Sequence, residues 1–191
     1  MPNYDTNIFR GSKDSCNKDL RITYIYSYAN ELEKFPTVKE KNNGNGFTIE
    51  TSFAISISEG FEKGRLFIPG NKYFAFISLF DKAVDLISDN LYTLYPNISR
   101  VDFEIDSKAL ERFQTEKALA VAGITAMPSI WCDDMNKSYP SVKFNSVLGT
   151  VNIPLEDAIQ IREMFKRFDP ICYGASMLHF FARTRLLGNN N

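Results

Sequence analysis

A unit of strand, proline and helix occurs twice in the chain and constrains the fold more than any other feature. Segment 64–69, GRLFIP, aligns without a gap with segment 149–154, GTVNIP. The alignment continues through apolar positions at helical spacing: Phe76 with Ile161, Leu79 with Met164, and Phe80 with Phe165. Proline ends each strand because it has no N–H to donate. The repetition predicts a duplicated ββββα plan, with repeats at 20–90 and 98–172. Coincidence is the alternative, since the order strand, proline, helix is common.

Alternation of apolar and polar residues predicts the strands. The predicted strands are 21–28, 47–58, 65–68, 101–106, a short one at 130–134, and a hairpin of 141–144 with 147–153. The segment 39–46, KEKNNGNG, is rich in residues that tolerate positive φ and predicts a hairpin tip. Strands mixed with helices in this way predict the α+β class, with mostly antiparallel sheets.

About four helices are expected between these strands. Apolar residues at a spacing of three or four predict helices from about residue 71 to 87 and from 175 to 187. A serine at 107 can cap a helix that runs to about 121, and Pro154 can open one that ends at Asp169. In this last helix acidic residues come first and basic residues last, as the helix dipole favours.

The composition is that of an ordinary globular protein. Hydrophobic residues make up 44% and charged residues 24% of the 191 residues, and the net charge is −1. We therefore expect one water-soluble domain at 20–188, after an extended arm at 1–19 and before a tail at 189–191. We expect no membrane segment, no metal and no cofactor.

The cysteines and the N-terminus bear on location. Three widely spaced cysteines, Cys16, Cys132 and Cys172, without a CxxC pair, favour reduced thiols rather than disulfides or a zinc site. The first residues lack the basic and apolar regions of a secretory signal. We expect an intracellular protein, cytoplasmic or, if phage-encoded, part of a virion.

The strand, Ile-Pro and helix unit at 64–87, repeated at 149–165, resembles the duplicated ββββα plan of Whirly-type single-stranded DNA-binding proteins and of related transcription-coactivator-like folds. The resemblance covers about half of the chain. It implies a protein that binds single-stranded nucleic acid on an exposed sheet face. In such proteins aromatic rings stack on bases, while lysine and arginine neutralise phosphates.

The candidate nucleic-acid surface follows from this resemblance. Tyr24, Tyr26 and Tyr28 share one face of the strand at 21–28. Basic residues are expected on nearby edges: Arg21, Lys39, Lys41, Lys63 and Arg65. A near-neutral chain can bind in this way because stacking contributes about 1–3 kcal/mol per base. The alternative is that the tyrosines belong to the core face of the strand and the lysines only solvate a loop.

Two other classes of function stay open. The 16 phenylalanines and 9 tyrosines are more than a small core needs, which favours an assembly subunit or homo-oligomer with rings in an interface. Asp102, Glu104 and Asp106 could hold Mg²⁺ for a nuclease, although simple strand alternation also explains them. Cys172 and His179 are too weak a pair to indicate a nucleophile. We therefore expect no catalytic residues and a non-enzymatic function.

Overall fold

The computed structural model describes residues 3–27, 37–40, 47–50, 53–60, 63–69, 72–116 and 119–167. Side chains are described at 8–23, 54–60, 63–69, 72–116 and 119–167. Both the helix predicted at 175–187 and the pair Cys172 and His179 lie outside these ranges. Among the described residues, no helix has the length and the apolar character that crossing a membrane requires.

Eight antiparallel strands form one sheet, in the order β1-β2-β5-β6-β10-β9-β8-β7, and β3 pairs with β4 in a separate ribbon. The strands are β1 (Asn3–Arg10), β2 (Arg21–Ser27), β3 (Thr37–Glu40), β4 (Phe47–Glu50), β5 (Phe53–Ser58), β6 (Arg65–Pro69), β7 (Ala120–Val121), β8 (Ile124–Cys132), β9 (Ser138–Ser146) and β10 (Gly149–Pro154). The helices are α1 (Tyr73–Asp89), α2 (Leu91–Leu94), α3 (Ser107–Glu116) and α4 (155–167). The predicted α+β class with a mostly antiparallel sheet is confirmed. The described residues contain four helices, of which α2 was not predicted.

The sheet consists of two halves that meet where β6 lies beside β10. One half is β1-β2-β5-β6 and is followed in the chain by α1, whereas the other is β10-β9-β8-β7 and is followed by α4. The aligned positions are buried alike, since Leu66, Ile68, Val151 and Ile153 are all fully inaccessible. Duplication itself stays a prediction.

The core lies between one face of the sheet and the helices α1 and α4. Phe80 of α1 stacks on Phe144 of β9, with ring centroids 5.2 Å apart. Phe165 of α4 meets the edges of Phe76 and Phe80. We call this face of the sheet, which includes Leu66, Ile68 and Phe144, the proximal face, and the opposite one the distal face.

Tyr95, which follows α2, holds β8 and β9 together with its hydroxyl. Residues Ser129 and Ser141 stand opposite each other in these strands. The hydroxyl of Tyr95 accepts the N–H of Ser129 at 3.1 Å. It can donate to the carbonyl of Ser129 at 2.7 Å or to that of Ser141 at 3.2 Å. Burial raises the pKa of Tyr95, which keeps the hydroxyl protonated.

We expect Tyr95→Phe to lower the free energy of unfolding by about 1–3 kcal/mol, because it leaves the N–H of Ser129 without its acceptor. Urea unfolding of the two proteins measures this loss. Tyr92→Phe is the matched control, since Tyr92 is 80% exposed and its loss of a hydroxyl should change little. Equal stability of the Tyr95 and Tyr92 variants would contradict this role.

Three sequence predictions of secondary structure are wrong in detail. Residues 101–106 are not a strand but an irregular segment before α3. Their alternation comes from Phe103, which is buried, and Ile105, which packs against the core. The predicted helix 107–121 ends at Glu116, and 120–121 form β7. The predicted single strand 47–58 is two strands in different sheets, because β4 pairs with β3 and β5 with β2.

Other predictions hold or change only in extent. The strand predicted at 21–28 is β2. The hairpin predicted at 141–144 with 147–153 is formed by β9, which is longer than predicted, and β10. The tip predicted at 39–46 joins strands that do pair antiparallel, although Lys39 belongs to β3. Strand β8 is longer than the predicted 130–134. The arm predicted at 1–19 contains β1, which pairs with β2 through a bulge at Asn7 and Phe9.

Candidate functional site

A row of polar side chains crosses the distal face at right angles to the strands. Because partners in antiparallel strands share a face, the register identifies its members. From β1 to β8 they are Arg10, Arg21, Ser58, Arg65, Thr150, Asn145 and Thr125. We call these seven residues the distal row. Its three arginines are all exposed.

An open groove lies on this face around the middle of the row. Its volume is about 490 Å³. It is lined by Arg21, Thr23, Ser56, Ser58, Gly60, Lys63, Gly64 and Arg65. The structure therefore brings together three of the basic residues that the sequence suggested, Arg21, Lys63 and Arg65, and surrounds them with small hydroxyl side chains.

Local hydrogen bonds orient two of the groove cations, Arg65 and Lys63. The Nε of Arg65 donates to the Oγ of Ser56 at 2.8 Å, which fixes the guanidinium beside β5. The Nζ of Lys63 donates to Asp134 at 2.9 Å, in the turn between β8 and β9. That hydrogen bond raises the pKa of Lys63, so the ammonium stays charged. Among the described residues, no carboxylate pairs with Arg10, Arg21 or Arg65.

This arrangement is suited to binding an anion. A guanidinium presents several N–H donors in a planar fork that matches phosphate oxygens, and hydroxyls can donate to the same oxygens. Small side chains such as Ser58 and Gly60 leave room for a ligand close to the backbone. The described residues contain no group of three or more His, Cys, Asp or Glu side chains that could hold a metal ion.

The candidate tyrosines are only partly placed. In β2, Tyr24 stands opposite Ile55 and Tyr26 opposite Phe53. These register positions belong to the proximal face, which they share with the buried Ile22. Tyr28 and Lys41 lie outside the described residues, and Lys39 is in the β3 and β4 ribbon. The register positions of Tyr24 and Tyr26 thus lie on the side of the sheet opposite to Arg21 and Arg65. Binding by Tyr28, Lys39 and Lys41 stays a prediction.

Two residues of the distal face were missed at the sequence level. Arg10 belongs to the predicted arm, and its place in the row depends on the pairing of β1 with β2. Phe67 follows Arg65 by two residues, so it lies on the same face, and its ring is partly exposed. The alternation of Phe67 with the buried Leu66 and Ile68 could have identified it.

The acidic residues proposed for a nuclease do not form a cluster of that kind. Asp106 instead caps helix α3, where its Oδ1 accepts the N–H groups of Lys108 and Ala109 at 2.9 and 3.0 Å. The sequence predicts the cap at the next residue, Ser107, so the cap lies one residue earlier than predicted. A carboxylate at this position satisfies backbone donors that the first turn of a helix leaves unpaired.

Comparison of the chain with protein-family models, with curated proteins and with solved structures gave no match.

Proposed function

We propose that this protein binds single-stranded nucleic acid, without catalysis, on the distal face of its sheet. The observation that carries the proposal is the distal row, in which three arginines without carboxylate partners among the described residues lie in register with Ser58 and Thr150. Arginine side chains on one line can neutralise successive phosphates of one strand.

The dimensions of the row support a strand that runs across the sheet. Neighbouring strands lie about 4.8 Å apart, so the seven positions from Arg10 to Thr125 span roughly 29 Å. A flexible single strand can follow this line, and its bases can turn towards the rings on the same face. Phe67 is the candidate for stacking within the described residues. Tyr24 and Tyr26 occupy register positions on the proximal face, so they would not meet a strand that binds on the distal face.

The resemblance to Whirly-type proteins supports the same proposal at the level of architecture. Two halves of a sheet, each followed by a helix, fit the duplicated plan that the resemblance implies. We also retain, as proposals, that the protein works inside the cell or in a phage virion.

An assembly subunit is the second candidate. Val147 and Leu148, at the tip of the hairpin between β9 and β10, are 92% and 45% exposed. Two adjacent exposed apolar residues at a hairpin tip favour a protein contact, and a homo-oligomer would supply one. Analytical ultracentrifugation over a range of concentrations tests this, with Val147→Ser as the disrupting variant. A monomer at every concentration would contradict the homo-oligomer.

Fluorescence anisotropy with a labelled oligonucleotide of about 30 nucleotides, as single strand and as duplex, tests the proposed function. We expect the single strand to bind more tightly. Four cations, Arg10, Arg21, Lys63 and Arg65, would give a slope of log affinity against log salt of roughly −3, at about −0.7 per phosphate contact. Equal binding of both forms, or no binding at micromolar protein, would contradict the proposal.

Asp134 competes with the ligand for Lys63, so we expect Asp134→Asn to strengthen binding. An exposed ion pair is worth at most about 1 kcal/mol, which limits the increase in affinity to about fivefold at low salt. The same anisotropy titration measures it. Asp102→Asn is the control because it removes an equal charge from an exposed position on the irregular segment before α3. An equal increase in both variants would indicate a general charge effect instead.

A further inference from the structure

The two halves of the sheet are joined by a very short ladder. Strands β6 and β10 are in register only at Arg65 with Thr150 and Leu66 with Gly149. For comparison, β2 and β5 are in register from Arg21 to Tyr26. The distal row crosses this junction between Arg65 and Thr150, so the geometry of the row depends on how the junction is held. We call the pairing of β6 with β10 the seam.

A side chain continues the ladder where the backbone pairing stops. The N–H of Asn152, two residues beyond Thr150, donates to the Oε1 of Glu59. Glu59 is 8% exposed and begins the turn from 59 to 64. Its N–H donates to the carbonyl of Gly64, at the other end of this turn, at 2.9 Å. The carboxylate therefore takes the place of a backbone acceptor at the seam.

Glycine at position 64 makes room for this carboxylate. A Cβ there would lie 2.5 Å from the Oε1 of Glu59 and 2.9 Å from the carbonyl oxygen of Thr150. Asn152 is fixed from its other side as well, because its Nδ2 donates to the carbonyl of Ile130 at 3.0 Å. That carbonyl stands opposite Pro140, which has no N–H to offer.

A second carboxylate, in the helix that follows β10, is bonded to the other half of the fold. Asp157 of α4 is fully buried and accepts the N–H groups of Cys16 and Asn17, at 3.0 and 2.8 Å. The Nδ2 of Asn17 donates in turn to the backbone carbonyl of Glu59 at 3.2 Å. The loop between β1 and β2 thus connects the two carboxylates. Glu59 accepts one N–H from β10, and Asp157 accepts two from this loop.

We propose that Glu59 is a positioning residue for the groove: through one carboxylate oxygen it fastens the 59–64 turn, and with it Lys63 and Arg65, to β10. This inference deepens the proposed function, on which its binding consequences rest. The hydrogen bond between Glu59 and Asn152 is independent of that function and can be tested without a ligand.

The charge of Glu59 and its hydrogen bond act on binding in different ways. Burial raises the pKa of Glu59. The N–H of Asn152 and the cations Lys63 and Lys143 lower it by a smaller amount. Other charged groups around the turn are Asp19, which adjoins Gly60, Asp134, which pairs with Lys63, and Asp157, reached through Asn17. The ionised carboxylate opposes anion binding near Lys63, so protonation of Glu59 should favour it, whereas the acceptor oxygen is needed in both states.

Glutamine and alanine at position 59 separate these two effects, with Glu104→Ala as a control at an exposed position. We expect the amide resonance of Asn152 to titrate in the wild type with an apparent pKa above 4.5, and not in Glu59→Gln. In Glu59→Ala, the amide hydrogen of Asn152 should exchange with solvent at least about tenfold faster than in the wild type. An Asn152 amide that neither titrates in the wild type nor exchanges faster in Glu59→Ala would overturn the proposal.

Stability against pH gives an independent reading of the same carboxylate. A raised pKa means that the folded state favours the protonated form of Glu59. Protonated Glu59 therefore stabilises the folded state fully below about pH 4.5, and this stabilisation is lost as pH rises through the pKa of Glu59 in the folded protein. We expect the melting temperature of Glu59→Gln, relative to wild type, to increase with pH. A constant difference across pH 4–8 would count against a buried, titrating Glu59. This measurement uses only Glu59→Gln, which keeps the acceptor oxygen, so it does not require the alanine variant to fold.

Oligonucleotide anisotropy between pH 5 and pH 8 then tests the positioning role. We expect Glu59→Gln to bind as tightly as wild type or up to about threefold more tightly at pH 8, and to vary less with pH. Glu59→Ala should bind about tenfold more weakly at every pH. If the wild type binds no oligonucleotide, the proposed function fails, while the Asn152 resonance still decides whether Glu59 holds the seam. Equal binding by the alanine variant and wild type would overturn the positioning role.

Discussion

Replacing Arg21 and Arg65 together by glutamine is expected to weaken binding of a single-stranded oligonucleotide about 100-fold at low salt. A hydrogen bond to a charged group contributes about 1.5 kcal/mol or more, which is roughly tenfold in affinity for each arginine. The double variant should also reduce the salt slope by about 1.4, or 0.7 for each lost contact. Anisotropy at several salt concentrations measures both quantities.

The fold should survive this double substitution, since both side chains are exposed and neither belongs to the core. Arg112→Gln, on the exposed surface of α3, is the control for a change of arginine to glutamine. We expect it to bind as the wild type does. Binding by the double variant at wild-type strength, with an unchanged salt slope, would exclude the distal row as the site.

Phe80→Ala is expected to lower the free energy of unfolding by about 3–5 kcal/mol. Phe80 is 1% exposed, stacks on Phe144 and meets the edge of Phe165, so its loss opens a cavity between α1, α4 and the sheet. Small domains are stable by about 5–15 kcal/mol in total. Chemical denaturation should therefore show a much lower midpoint with a similar slope.

The same helix provides the matched control for this prediction. Phe74 is 52% exposed at the start of α1 and makes an edge contact with Tyr73. We expect Phe74→Ala to cost less than about 1 kcal/mol. Similar losses at positions 74 and 80 would mean that the core does not lie between α1 and the sheet as described.

The strands predicted at 65–68 and 147–153, each followed by a helix, are present as β6 and β10. Leu66 and Ile68 are two residues apart, as are Val151 and Ile153, and all four are buried on one face of the sheet. Such periodicity is local, so one sequence is enough to recognise it. The helix spacing of Phe76 and Phe80 likewise identified the residues that form the aromatic core.

Elements whose shape depends on distant partners could not be predicted in this way. Residues 101–106 alternate like a strand, but Phe103 is buried from an irregular segment and Asp106 caps a helix. The long strand predicted at 47–58 divides because β4 and β5 pair with different partners. Pairing between strands is set by tertiary contacts, which alternation alone does not encode.

At the candidate site, too, the sequence predicted the residue types but not how strand pairing brings them together. Arg21, Lys63 and Arg65 were identified as basic residues, but their meeting in one groove depends on the register of β2, β5 and β6. Arg10 joins them only because β1 pairs with β2. Glu59 gave no sequence signal, since its bond to Asn152 connects residues far apart in the chain.

Chemical-shift mapping of the backbone amides during titration with a single-stranded oligonucleotide tests the central claim most directly. We expect the largest changes along the distal row, at Arg10, Arg21, Ser58, Arg65 and Thr150. The exposed face of α1, for example at Lys82, should change little. Changes confined to the helices, or none at saturating oligonucleotide, would contradict binding on the distal face.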